Sequence, residues 1–171
     1  MLDDLIAQLD ALEAPAALDW MRGLLESASP TRSDLGSQVR FTDDHYARNE
    51  VARSAWYELV CVCWRPGQGT PIHDHRASSC AFLIIEGAAT ETRFDLDDAG
   101  CLGREHPPAR RAPGYICASW DADVHEVVND TPDDLITLHI YSPALTQVQI
   151  YSRETRRGEL WTPHMQSVAS G

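Results

Sequence analysis

Apolar residues in the first 28 positions recur at helical spacing. Leu2, Leu5, Ile6, Leu9 and Leu12 share one face of a helix over residues 2–13. Asp3 and Asp4 lie in its first turn, where the helix dipole favours negative charge. Pro15 interrupts the pattern, and Leu18, Met21, Leu24 and Leu25 define a second amphipathic helix over residues 16–27. Ser29-Pro30-Thr31 and Ser33-Asp34 then supply turn and capping residues. The pattern predicts two helices laid against a core.

From about residue 40 the period shortens. Runs rich in β-branched and aromatic residues occupy 56–64, 80–86, 89–94, 115–118, 124–128, 135–142 and 147–151, punctuated by Gly67, Gly69, Gly87, Gly100 and Gly114. No helix-length period lies between them. Many short strands with close turns indicate an antiparallel sandwich or barrel, not a parallel βαβ sheet. Residues 95–113 are polar, contain Pro107-Pro108 and Arg110-Arg111, and read as a long loop or loose hairpin. Without internal repeats or a linker-like tract, the expectation is a single domain over residues 1–171, with a helical part to about 40 and a β-barrel over about 46–152. The stretch from Arg153 to Gly171 carries little signal.

Strand alternation also sorts candidate chemistry. Side chains at i and i+2 share a face, so on one strand His73 and His75 would aim two imidazoles at one point while Asp74 points away. Neutral imidazole is the commonest metal ligand, although an isolated His-x-His also occurs by chance. In the run 135–141, Ile136, Leu138 and Ile140 form an aliphatic face, whereas Leu135, Thr137, His139 and Tyr141 form a mixed face suited to a polar pocket or to solvent. His125, fifty residues after His75, is a candidate third ligand.

Composition narrows the partners. The 171-residue chain has 14 basic and 26 acidic side chains and a net charge of −12, a field that repels nucleic acid and anionic membranes. Apolar runs such as Ala81-Phe82-Leu83-Ile84-Ile85 are far shorter than the roughly 20 residues needed to span a bilayer. Five cysteines without repeated spacing, and an acidic N-terminus in place of an export signal, predict mostly free buried thiols in the cytoplasm. No feature marks an obligate interface, and the expected state is a monomer.

Two longer patterns give the histidines a context. Gly67, His73-x-His75, Cys80 and Gly87 resemble the first metal motif of the cupin superfamily, with Cys80 where a glutamate is usual. Pro113-Gly114, His125 and Asn129 resemble the second. Tyr46-Ala47-Arg48-Asn49, Trp64-x-Pro-Gly-x-Gly, Ser78, Cys80 and His139-Ile140-Tyr141-Ser142-Pro143 occur in the order found in the cysteine dioxygenases, which the chain resembles from about Tyr46 to Pro143. The resemblance implies a mainly β fold, a cupin jelly-roll barrel preceded by α-helices.

It also implies a set of roles. His73, His75 and His125 would hold Fe(II), with the substrate thiolate supplying the missing anionic ligand. Arg48 would pair with the substrate carboxylate, with Tyr46 nearby in the pocket. Tyr141 would contact substrate or oxygen, and His139 would orient it. Cys80 matches the cysteine that forms a thioether with that tyrosine in the animal enzymes, a position where many bacterial relatives carry glycine. Trp64 would pack beneath the site. Two departures stand out. Thr137 replaces a usual serine, a mild change. Ser79 replaces a histidine and is expected to alter what the pocket mouth accepts.

The implied reaction takes L-cysteine and O2 to cysteine sulfinate. Alternatives are 3-mercaptopropionate dioxygenation, against which Arg48 argues because a glutamine is typical there, a metal-binding cupin without turnover, and a cupin isomerase or decarboxylase. Metal identity rests on the resemblance, because three imidazoles also suit zinc, nickel or copper.

Overall fold

The computed structural model describes residues 1–120 and 122–162; residues 163–171, the end of the expected domain and of the weakly informative stretch, lie outside the described residues. The two helical periods form α1 (Leu2–Asp10) and α2 (Leu18–Ala28). α1 ends three residues before its expected limit, whereas α2 starts two residues later and ends one residue later than expected. The chain between them is extended at Ala17 (φ −69°, ψ 142°), so the second helix starts after Pro15 and Ala16. The predicted capping residues cap a further turn, α3 (Arg32–Leu35), where the Thr31 backbone N–H and hydroxyl both donate to Asp34 Oδ2 at 2.9 and 2.6 Å.

The remainder is β: β1 (Ala47–Arg53), β2 (Glu58–Trp64), β3 (Ile72–His73), β4 (Ser79–Glu86), β5 (Ala89–Leu96), β6 (Leu102–Glu105), β7 (Ala109–Arg111), β8 (Ile116–Ser119), β9 (Val124–Val128), β10 (Leu135–Ser142), β11 (Val148–Tyr151) and β12 (Gly158–Trp161). One antiparallel sheet has the order β1-β2-β10-β4-β8; the other runs β12-β11-β3-β9-β5-β6, with β7 also paired to β5. The sheets face each other in the jelly-roll arrangement that the motifs imply. Of the two readings of the polar stretch 95–113, the loose hairpin holds and the loop does not, because β5 turns through Asp97 and Gly100 into the antiparallel β6. The stretch contains β6 and β7, which fold back on β5 with Glu105 opposite Phe94 and Ala109 opposite Glu91. These are short strands with few buried side chains, so they carry little apolar alternation.

The first sheet is buried on both faces. Its outer face, with Leu59, Cys61, Cys63, Ala81, Leu83, Ile136, Leu138 and Ile140, packs under Leu5, Leu9, Met21, Leu24 and Leu25 of the helices. Its inner face presents Val60, Val62, Trp64, Cys80, Phe82, Leu135 and Tyr141 to the barrel interior. This explains why β2 and β10 are buried at every position. Each large aliphatic side chain buried in this way contributes roughly 1.5–3 kcal/mol.

Gly87 links β4 to β5 with φ +81°, a conformation that glycine adopts without steric cost. A Cβ there would run into the carbonyl oxygen of Asp134 and stand 2.9 Å from Leu135 Cα, backbone that cannot swing aside. Gly87→Ala is therefore expected to lower stability by at least about 2 kcal/mol. Urea denaturation monitored by circular dichroism would check this, and an unchanged midpoint would refute it.

Candidate active site

The interior of the barrel holds a cluster of polar side chains within an apolar wall. His73, His75 and His125 form a near-equilateral triangle, with ring centroids 5.1, 4.9 and 5.0 Å apart. One ring nitrogen from each lies within 4.8 Å of the others. His73 and His125 are cross-strand partners on β3 and β9. His75 arrives differently from the sequence reading, because β3 ends at His73. The chain stays extended through Asp74, whose N–H donates to Gln149 O at 3.1 Å and whose Oδ1 accepts from Gln149 N–H at 2.8 Å. It then turns at Arg76 and Ala77, both at positive φ. Asp74 does point away from the imidazoles, and Tyr151 donates to its Oδ2 at 3.3 Å.

Burial, reinforced by His125, pushes the His73 pKa down to about 3 and that of His75 well below the ordinary histidine value. These rings are neutral at pH 7, the state that offers a lone pair to a metal. His73 Nδ1 bonds to Pro71 O at 3.0 Å and His125 Nδ1 to Glu91 Oε1 at 3.3 Å, leaving Nε2 of each for the centre. His75 Nδ1 is buried without a hydrogen-bond partner. The chain thus holds a possible metal site.

The wall of the first sheet carries a second group of functional side chains. Arg48 on β1 is about 10% exposed, and its NH1 donates to Tyr141 Oη at 3.4 Å. Its NH2 faces the fully buried Glu58 at 3.4 Å, which also pairs with Arg53 at 3.1 Å. Burial works against the Arg48 charge, but Tyr141 and Glu58 outweigh it and raise its pKa above the ordinary value. Arg48 Nε has no partner. Tyr46 stacks on Trp64 with centroids 4.5 Å apart. Cys80 lies directly opposite Tyr141 in the β4–β10 register, and its Sγ is 4.0 Å from His139 Nδ1. Burial raises the pKa values of both the Cys80 thiol and the Tyr141 phenol.

Donor and acceptor chemistry orders the protons along β10. Trp64 Nε1 can only donate, and it reaches Thr137 Oγ1 at 3.0 Å. The hydroxyl proton of Thr137 goes to His139 Nε2 at 2.8 Å in preference to Val62 O at 3.5 Å. His139 then carries its own proton on Nδ1 and donates to Tyr141 Oη at 3.2 Å. Tyr141 Oη accepts from both His139 and Arg48 and also lies within hydrogen-bond reach of the Cys80 thiol.

All eight residues singled out for the site line one cavity of about 40 Å³: Tyr46, Arg48, His73, His75, Cys80, His125, His139 and Tyr141. Ser79 does not line it. Strand alternation turns Ser79 away from the Cys80 face, so the expected influence on the mouth is corrected. Phe82, Val127, Leu145, Val148 and Trp161 complete an apolar wall. Sequence reasoning missed two buried carboxylates. Glu58 had a signal, as the one charge at the head of an apolar run. Glu91 had none, because its setting comes from pairing among β5, β7 and β9.

Residues 2–154 match the sequence model of the family described as cysteine dioxygenase type I. The chain belongs to the cysteine dioxygenase family. Its members include cysteine dioxygenase type 1 of Danio rerio, 27% identical over 162 residues that span 90% of this chain and 80% of that protein. The Rattus norvegicus cysteine dioxygenase type 1 is 27% identical over 160 residues, with the same coverage. Family membership makes this chain an oxidoreductase of the thiol dioxygenase kind, from a family of metalloenzymes.

Solved structures support the fold. A conserved Klebsiella pneumoniae protein with a double-stranded β-helix domain superposes with a TM-score of 0.58 at 18% identity, covering 68% of this chain and 87% of that one. A Thermus thermophilus protein does so with a TM-score of 0.55 at 21% identity, covering 65% and 95%. A cupin superfamily protein from Desulfitobacterium hafniense has a TM-score of 0.50 at 15% identity, covering 63% and 86%.

Within this cysteine dioxygenase framework, Thr137→Val strands Trp64 Nε1 and His139 Nε2 in the interior. The expected loss of stability is about 1–3 kcal/mol, read from chemical denaturation. A variant as stable as the parent would show that the chain of donors is not maintained.

Proposed function

We propose that this chain oxidises L-cysteine with O2 to cysteine sulfinate and that His73, His75 and His125 hold Fe(II) for the purpose. The observation that carries the reading is the convergence of three inward-facing imidazoles, the Arg48 guanidinium and the Tyr141 hydroxyl on one small cavity. The donor set fits a divalent metal that accepts imidazole, and the lone nitrogen of His75 is an unsatisfied polar atom among the ligand rings. Bound there, ferrous iron would supply the positions at which a thiol sulfur and dioxygen meet, and its charge would favour the thiolate.

The protein's own groups define which thiol enters. Arg48 offers its unpaired Nε, and a guanidinium binds a carboxylate through parallel hydrogen bonds. A thiol without a carboxylate would leave that donor buried and unpaired. Tyr141, held by His139 and Arg48, directs its hydroxyl proton at the substrate carboxylate or at the oxygen that joins sulfur. Tyr46 and Trp64 form a flat wall beside Arg48. The remaining lining is apolar and excludes water, which strengthens each of these contacts. Both atoms of O2 end on sulfur, so the thiol becomes a sulfinic acid without a further reductant.

We also place a thioether between Cys80 Sγ and the Tyr141 ring carbon beside the hydroxyl, formed with loss of the S–H and ring C–H hydrogens to O2, the oxidant of the proposed reaction, and supported by their opposed positions in adjacent strands. The buried free thiols of Cys61, Cys63 and Cys117 support a cytoplasmic setting. The cores shared by helices and sheets support a single domain.

Oxygen uptake by iron-loaded protein, with product analysis, tests the reading. L-cysteine should be consumed and cysteine sulfinate formed; uptake with 3-mercaptopropionate but not cysteine would reassign the substrate, and none with either would exclude turnover. Replacing the arginine tests selection. Arg48→Gln should raise KM for L-cysteine about 10–100-fold, the equivalent of a lost charged hydrogen bond, with little effect on cysteamine, which lacks the carboxylate. Equal effects on both thiols would remove Arg48 from substrate selection.

A further inference from the structure

Behind His125, on the side away from His73 and His75, Glu91 sits in the interior at 2% exposure. Its Oε1 is 3.3 Å from His125 Nδ1, 3.2 Å from Arg93 Nε and 3.4 Å from Cys117 Sγ. Its Oε2 accepts from Arg111 Nε at 3.3 Å and from Tyr115 Oη at 3.4 Å. A carboxylate held by two guanidinium groups and a phenol keeps one orientation.

Glu91, Cys117 and His125 also lie close enough together to suggest a second metal site. The surrounding charges argue otherwise. Arg93 donates to Cys117 Sγ at 3.2 Å and to Glu91, so a cation already occupies the position a metal would need. Burial and Glu91 push the Cys117 thiol up to about 11, away from the thiolate that ligates metals. The cluster is an anchor directed at His125.

We propose that Glu91 is a positioning residue that holds His125 in its Nδ1–H form, with a bare Nε2 aimed at the metal, and that Arg93 and Arg111 hold Glu91 in turn. The proposal rests on the three-histidine metal reading. A carboxylate behind a ligating imidazole fixes both the tautomer and the plane of the ring, and raises its basicity. His73 obtains the same service from the Pro71 carbonyl, a neutral acceptor. His125 is thus the ligand given the anionic support.

The test uses Co(II) as the probe, titrated into metal-free protein and followed by its visible absorption in competition with a chelator. Glu91→Gln should weaken Co(II) binding about 10–100-fold, and Glu91→Asp should recover part of that loss. Melting of the metal-free variants separates this from general loss of fold. A second measurement needs no variant at residue 91. Long-range 1H–15N correlation spectra of the metal-free wild type at pH 8, with His125 assigned by its substitution, should show the Nδ1–H tautomer, and in folded Glu91→Gln the Nε2–H form should increase. A wild-type affinity for Co(II) in Glu91→Gln, or an Nε2–H tautomer at His125 in the wild type, overturns the proposal. Failure of the wild type to take up Co(II) would overturn the metal reading itself, whatever the tautomer.

Discussion

The structure depends on burying one sheet from both sides. In β10 a single strand has to satisfy two environments, an aliphatic layer under the helices and a polar pocket within the barrel. Period-two alternation does this without compromise. Ile136, Leu138 and Ile140 key the strand to the helices, and that packing sets the height and direction of Thr137, His139 and Tyr141 on the opposite face. A slip of one residue would put His139 among leucines and Leu138 in the pocket. The helices therefore serve the site, although none of their side chains lines it.

The second requirement is that most polar groups in that interior have a defined partner. Trp64, Thr137 and His139 form one directional series that ends on Tyr141, where Arg48 donates from the other side. A second group converges on Glu91, whose carboxylate accepts from Arg93, Arg111 and His125. Buried networks of this kind are costly when partly satisfied and rigid when complete. Among the described residues, three buried side-chain atoms lack a partner: Arg48 Nε and His75 Nδ1, which belong to pocket-lining residues, and Glu58 Oε2, which lies behind Arg48.

Much of this was legible in the sequence, for identifiable reasons. The β10 alternation reports the two-faced burial directly. The histidine spacing and the cysteine opposite Tyr141 belong to motifs with fixed order, and all of those side chains converge. Other parts were illegible because they depend on pairing between distant segments. β6 and β7 bury few side chains and so leave no apolar period. The strand carrying His73 is too short for alternation to account for His75, whose path is set by the bond between Asp74 and the backbone of Gln149. Glu91 looks like any acidic residue between threonines until β9 is laid beside it. Ser79 shows the opposite error, where adjacency in sequence suggested a role that the pleat of the strand rules out.

Glu58 gives the pocket a further property. The molecule as a whole is strongly anionic, and its one pocket arginine already shares its charge with a buried carboxylate. Such a site cannot gather anions from a distance. The long-range field opposes a carboxylate, and attraction begins only once the ligand is inside, within reach of the free Nε–H and out of bulk water. Recognition here is a matter of contact geometry and not of electrostatic capture. That arrangement ties the capture of any carboxylate-bearing ligand to close contact with Arg48 and not to the field of the protein.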